Sequence, residues 1–487
     1  AVLRDERSVN LGAVYESVKD KPYWSEIQFI TPVSDELCKC AHRKSMSVVI
    51  NIFVVNLQWN FLNMKTFGLR IFSLAFCLFL TVWPHAAKDR EPVVKTGHSF
   101  VPFPMVGFDG AKGFLFGGLM NVYNFGDGST YPNPRSSAYF EVSGYTGGSK
   151  TFVASYDSGR LLPEVRMNLA ASYCADNAME FFGFGGRRTF YDSSMADGFY
   201  KYDRATLNIK ADFSGKISDH LSWEVGYHFN QFKVKDYHPQ DSDQEISLFG
   251  LYKAWGMVPS EEVSKEYSSA VRAGLVYDSR DYEGVPTKGV LAGAHVFAAP
   301  GFLGSSESYL KIHATLRHYI PIIKENLVFA YRLDYQEFLS DAPWYAIPFY
   351  TPGGPIYDNA AIGGYRTVRG LLYNRVAGSS TCFVNAELRW KFAGFGIWGQ
   401  DIGLMLSGFC DGISTLRYFD LTNRTGAFPK LYDKYIDTSR GDNLHLSSGA
   451  ALKIILNRNF VLNIEYARAL SAQDGAGVMY LNTGFYF

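Results

Sequence analysis

Outside one N-terminal stretch, the sequence has no apolar run approaching the roughly eighteen residues a membrane-spanning helix needs, so a bundle of transmembrane helices is excluded. It has no charge excess either. With 47 basic and 47 acidic side chains the formal net charge is +0, and nothing in that balance points to nucleic acid as a partner. HExxH, GxSxG and the GxxxxGK phosphate loop are missing, which removes the usual marks of a metalloprotease, a serine hydrolase and a nucleotide-binding enzyme. No enzymatic activity, no metal and no cofactor is expected. Six cysteines in 487 residues are too few for a disulfide scaffold, and Cys38, Cys40 and Cys77 precede the regular part of the chain.

What is present is 16% aromatic residues, 46 glycines and a mean hydropathy of only −0.08. That combination suits strands that are apolar on one side. Such strands can cross a bilayer if the sheet closes, because lipid offers no partner to a free backbone group. The expected fold is all-β, a 16-stranded antiparallel transmembrane β-barrel with an extracellular loop folded inward.

The first residues stand apart. Residues 1–63 keep no sustained period and read as translated upstream sequence, or else as a genuine extension. At Met64 the pattern changes: Lys65 and Arg70 are followed by an apolar core from Ile71 to Trp83 and by Ala86-Ala87, which together make a secretory signal peptide over 64–87. Residues 88–111 are expected to be a short periplasmic segment before a barrel spanning 112–487.

From Gly113 on, strands recur with turn signals between them. Ala205, Leu207, Ile209 and Ala211 alternate with Thr206, Asn208, Lys210 and Asp212, and the same holds from Leu221 to Asn230. Apolar side chains of a membrane barrel face lipid and polar ones the lumen. Fifteen such segments can be marked, whereas a bacterial single-chain barrel takes an even number. Short connections such as 279–288 and 457–458 alternate with long ones at 235–267, 339–380 and 412–443. The alternation breaks between Cys174 and Phe199 unless Met179–Arg187 is the sixteenth strand. Gly113, Gly117 and Gly118 then fall on the first strand and Gly484 on the last, where they either weaken the closing seam or merely fit barrel curvature.

One stretch carries more than periodicity. Between Ile362 and Phe392, Val384, Ala386, Leu388, Trp390 and Phe392 share one strand face, and Asn385, Glu387, Arg389 and Lys391 the other. In the following strand Ser407, Phe409 and Asp411 oppose Ile402, Leu404 and Leu406, so Glu387 and Asp411 can point the same way. Arg369 lies just upstream in a glycine-rich loop. It is either a solvated loop arginine or the partner of those carboxylates in a charge-assisted contact.

These residues resemble a family. Val368-Arg369-Gly370-Leu371 is similar to the VRGF/Y loop motif, and Phe409-Cys410-Asp411-Gly412 to the FxDxG strand motif, of the outer-membrane protein 85 superfamily. The run from Tyr277 to Asp281, followed by Pro286 to Gly289, resembles that family's barrel turn. Leu371 departs from the usual aromatic, which puts the packing of the loop tip in question. The resemblance implies that Arg369 reaches into the lumen and pairs with Glu387 and Asp411. It also implies insertion or translocation of outer-membrane or surface proteins, with client proteins and outer-membrane lipids as partners. A short N-terminal segment leaves no room for POTRA domains, so a separate periplasmic or lipoprotein partner is expected. The alternatives are a passive or selective channel and a structural subunit of a membrane complex.

The last strand, expected over 476–487, ends in Gly484, Phe485, Tyr486 and Phe487. Phe487 on an alternating apolar face resembles a barrel insertion signal, or is an ordinary aromatic strand end. Asp241, Asp243 and Glu245 read as a solvated acidic loop rather than a calcium site. His228 and His445 read as solvated lumen residues. Cys382 and Cys410 are expected nearly opposite on neighbouring strands, as a disulfide or as two small apolar residues.

Overall fold

The computed structural model describes residues 94–109, 112–159, 164–237, 246–348, 362–442, 444–484 and 487. The upstream extension, the signal peptide, residues 88–93, Asp241, Asp243, Glu245 and Phe485 lie outside them. Sixteen antiparallel strands follow one another in a single sheet in chain order. The first eight are β1 (Gly97–Asp109), β2 (Gly113–Gly126), β3 (Ser136–Tyr145), β4 (Lys150–Asp157), β5 (Val165–Glu180), β6 (Lys201–Lys216), β7 (Leu221–Asp236) and β8 (Val263–Asp278). The second eight are β9 (Gly289–Ala299), β10 (Tyr309–Ile323), β11 (Leu327–Phe338), β12 (Ser380–Ile397), β13 (Gln400–Arg417), β14 (His445–Leu456), β15 (Phe460–Ala469) and β16 (Gly477–Thr483).

The two side-chain phases separate as the alternation requires. On β6, Thr206, Asn208, Lys210 and Asp212 are buried while Ile209 is exposed; on β7, His228 and Asn230 are buried while Val225 and Tyr227 are exposed. An apolar outer band with a polar interior is what lipid on one side and a lumen on the other select.

The strand count is as expected, but its membership is not. Met179–Arg187 is no strand: β5 stops at Glu180, and Phe181, Phe182 and Phe184 are all buried, without the in-and-out alternation a wall strand needs. Gly183 and Gly186 there have φ of +77° and +54°, which turns the chain away from the sheet. The missing strand is β1, inside the segment expected to be periplasmic. Its two prolines, Pro102 and Pro104, argue against a central strand and are tolerated at an edge, where the absent N–H groups face no neighbour. Gly113, Gly117 and Gly118 therefore belong to the second strand, away from the seam.

Long connections at 181–200, 237–262, 339–379 and 418–444 share one end of the barrel, the outer one by the rule that long loops lie outside. There they interlock. Phe181, Phe184, Tyr252 and Trp255, from two of these loops, join Trp344, Leu421 and Tyr435 in one buried aromatic cluster, into which helices α1 (Leu248–Ala254) and α2 (Pro429–Tyr435) pack. At the opposite end the turn 279–288 folds in, placing Val285 against Met405, Ile455 and Val461.

Among the described residues β1 pairs only with β2, and β16 only with β15. Val101, Phe103 and Met105 of β1 instead pack on Leu456, Phe460 and Leu462 of β14 and β15, with the rings of Phe103 and Phe460 6.1 Å apart. Leu462 shares its phase with the exposed Ile464 and Tyr466, so the first strands overlap the outer face of the last ones. β16 ends at Thr483, short of the expected 487. Phe487 is buried against Tyr319, Val328 and Ala330, and its backbone O accepts from Arg389 Nη2 at 3.0 Å.

Cys382 faces Ser414, and Cys410 faces Ala386, so the two cysteines are not opposite; both are free. The register differs from the expectation because the β12–β13 hairpin runs on to a tight turn at Trp398-Gly399 and takes a bulge between Lys391 and Ala393.

Candidate functional site

The connection between β11 and β12 returns into the lumen from Ile362 to Ala377, and the inward phases of β12 to β15 receive it. Asn385 pairs with Asp411 and Glu387 with Phe409 across β12 and β13, so all four side chains lie on one face, as the alternation predicts. Arg369 is completely buried on that face. Its Nε donates to Asp411 Oδ2 at 2.9 Å, its Nη2 to Asp411 Oδ1 at 3.0 Å, and its backbone N to Asp411 Oδ2 at 3.1 Å. This is the bidentate fork that a guanidinium offers a carboxylate and an ammonium does not. The guanidinium also lies over the Phe409 ring, 3.4 Å from its centroid. Phe409 has room because Gly449 stands opposite it on β14, where a Cβ would come within 2.5 Å of the ring.

Glu387 is within the cluster, but at longer range: Arg369 Nη1 is 3.8 Å from its Oε2. Two partners that the sequence reading missed are closer to the balance of charge. Glu465 of β15 lies 3.5 Å from Arg369 Nη1, and Lys453 of β14 lies 2.6 Å from Glu387 Oε1. Arg389 Nη2 donates to Glu387 Oε2 at 3.3 Å. Three cations thus stand among three carboxylates, all at 1% exposure or less. In the sequence the only signal for Lys453 and Glu465 is a lone charge at the inward phase of an apolar strand.

The rest of the motif is packed or hydrogen-bonded. Val368 and Leu371 are buried with Ile362, Val376, Phe383, Ile413 and Ala469, so leucine fills the place of the family's aromatic. Gly370 has φ +83°, and a Cβ there would come within 2.8 Å of the Arg468 backbone N; its own N donates to Tyr480 Oη of β16 at 3.0 Å. A second clamp holds the preceding turn: Arg332 Nε donates to Asn385 Oδ1 at 2.8 Å, and Asn385 Nδ2 to the Thr367 carbonyl at 2.9 Å. Gly412 sits on the outward phase, where a Cβ would come within 3.0 Å of Leu446. Gly484, just past β16, has φ +88° and begins the stretch that ends at the buried Phe487.

The arrangement has no reacting group at its centre. What it can do is fix a long loop across the lumen and tie it to β12 through β16. The histidines noted in the sequence sit beside carboxylates: His228 Nε2 is 2.8 Å from Asp212 Oδ1, and His445 lies between Asp442 and Asp474.

Known proteins bear on this geometry. The profile of the Omp85 superfamily domain matches residues 156–487. Among solved structures, BamA from Haemophilus ducreyi lacking POTRA domains 1–3 is similar at 15% identity over 84% of this chain and 78% of that one, with a TM-score of 0.47. CdiB from Escherichia coli is similar at 9% identity over 82% of this chain and 63% of that one, with a TM-score of 0.48. CdiB from Acinetobacter baumannii is similar at 12% identity over 80% and 60%, with a TM-score of 0.43. The chain spans less than two thirds of either CdiB chain. No curated protein sequence matches it. The matched profile covers well over half of the sequence and includes the loop arginine and all its carboxylate partners, and this outer-membrane β-barrel belongs to the Omp85 superfamily.

Proposed function

We propose that this barrel assists the insertion of outer-membrane or surface proteins into the outer membrane, or their translocation across it. The observation that carries the reading is the seam. β1 and β16 have no ladder between them among the described residues, and the free side of β1 is further weakened by Pro102 and Pro104. An unpaired strand edge is a template for another extended chain, and main-chain hydrogen bonding to such an edge is a general way of capturing a strand. The buried lock at Arg369 supports the same reading. It keeps a loop across the lumen and reaches β16 through Gly370 and Tyr480, so lumen and seam are mechanically connected. In this reading a separate periplasmic or lipoprotein partner delivers the clients to the barrel.

The test is a disulfide across the seam, with cysteines replacing Phe103 of β1 and Phe460 of β15, whose rings meet 6.1 Å apart where β1 overlies the last strands, in a background lacking Cys174, Cys382 and Cys410. Oxidation is expected to abolish assembly of outer-membrane clients in cells and reduction to restore it, with small-solute permeability unchanged. Normal client assembly in the oxidised barrel sinks the proposal and leaves the channel or scaffold reading.

A further inference from the structure

At the outer end four loops meet on one histidine. His445 opens β14 and is completely buried. Its Nδ1 is 2.7 Å from Asp474 Oδ1 in the β15–β16 loop, and its Nε2 is 2.7 Å from Asp442 Oδ1 in the β13–β14 loop. Arg187 of the β5–β6 loop touches both acids: its Nη2 donates to Asp474 Oδ2 at 2.7 Å and its backbone N to Asp442 Oδ1 at 3.0 Å. Arg375 of the β11–β12 loop completes the ring. It donates from Nε to the Gln473 carbonyl at 2.7 Å and from Nη1 to the Gly186 carbonyl at 2.8 Å, with Asp474 3.8 Å away. Asp442, Asp474, Arg187 and Arg375 are the charged groups that face the histidine from the loops packed around it.

The charge on the ring follows from its partners. Burial pushes the Asp474 carboxyl up, but the bonds from His445 and Arg187 outweigh it and hold the group at about 2. Asp442 is lowered in the same way, burial being outweighed by His445 and the backbone N–H of Arg187. An ionised carboxylate only accepts hydrogen bonds, and a neutral imidazole has one donor. With a carboxylate oxygen at each nitrogen, both must donate, so the latched ring is a cation.

We propose that His445 is a proton-operated latch on the outer loops. Protonated, it binds the β13–β14 and β15–β16 loops to each other and, through Arg187 and Arg375, to the other two; deprotonated, it lets them part. A lysine or arginine there would hold permanently, whereas a histidine can lose its charge, and, outweighing burial, the two carboxylates that hold its proton move that loss to the alkaline side of the ~6.5 of a free imidazole. The sign is fixed by linkage. The latched state binds the extra proton, so latching is complete in acid and is lost as the pH rises, with a slope of at most about tenfold per pH unit for one proton.

The measurement uses the full chain in lipid nanodiscs, with spin labels on cysteines replacing the exposed Thr438 and Ala472, one in each of the two loops. The wild-type pair is expected to show one narrow distance distribution at about pH 6 and a broad one at about pH 9.5. His445→Gln is expected to give the same distribution at both pH values. Asp442→Asn, which lets a neutral ring donate to Asp474 and accept from the new amide, is expected to stay narrow at both, and it carries the test alone if the glutamine variant does not fold. An unchanged wild-type distribution between the two pH values, or a wild-type pH response in either variant, overturns the proposal.

Discussion

Arg369 is held by geometry more than by charge alone. Its fork fits Asp411 with two bonds from the side chain and one from the backbone, while Glu387 and Glu465 lie farther off and serve to balance the charge. Removing one partner from a buried ionic cluster leaves an uncompensated charge and costs on the order of 3 to 5 kcal/mol. Arg369→Ala is expected to leave the barrel inserted but to make the loop from Ile362 to Ala377 sensitive to protease. Adding Glu465→Gln restores the charge balance and is expected to recover much of the lost heat stability without recovering the loop. Equal stability of the single and double variants would show that charge balance is not what the cluster supplies. The lock was half legible. Strict alternation in β12 and β13 put Glu387 and Asp411 on one face, but Lys453 and Glu465 are single charges whose partners lie on strands far away in the chain.

β1 was hidden by the feature that fits it for its place. Two prolines two residues apart remove donors from one side of the strand, which reads as a break in a sequence and as a free edge in a sheet. The double substitution Pro102→Thr with Pro104→Thr supplies two N–H donors on that edge and two residues that favour strands. It is expected to raise protection of the β16 amides from hydrogen exchange and to slow client assembly. If exchange at β16 is unaltered, the missing donors are not what keeps the seam apart. Met179–Arg187 failed in the opposite direction. Its run of aromatics resembles a strand locally, yet Phe181, Phe182 and Phe184 are spent on the outer aromatic cluster, which forms only when loops from four connections meet.

The molecule as a whole is held in two ways: by strand pairing around the wall, and at the outer end by aromatic packing in which loop residues join Tyr202, Phe232 and Phe338 of the wall. Trp255 is completely buried in this outer cap, its ring packed against Tyr252 and Tyr432. Truncating a buried tryptophan to alanine costs about 3 to 5 kcal/mol. Trp255→Ala is expected to increase hydrogen exchange across residues 248–258 and 421–436 while leaving the heat-dependent gel shift of the folded barrel unchanged. A lowered shift temperature would mean that cap and wall unfold as one unit.

The sequence was sufficient for what depends on local period. Lipid on one face and lumen on the other force a two-residue alternation, and that gave the fold class, fifteen of the strands and the shared face of Glu387 and Asp411, while the count of sixteen came from the rule of even numbers and the loop arginine from a motif. It could not supply what depends on residues far apart in the chain. Whether β1 joins β16 or overlaps β14 and β15, which lone charges complete the lock, and that four loops converge on His445 are outcomes of how the sheet coils and how its loops pack. Those choices rest on contacts across hundreds of residues, and no local pattern records them.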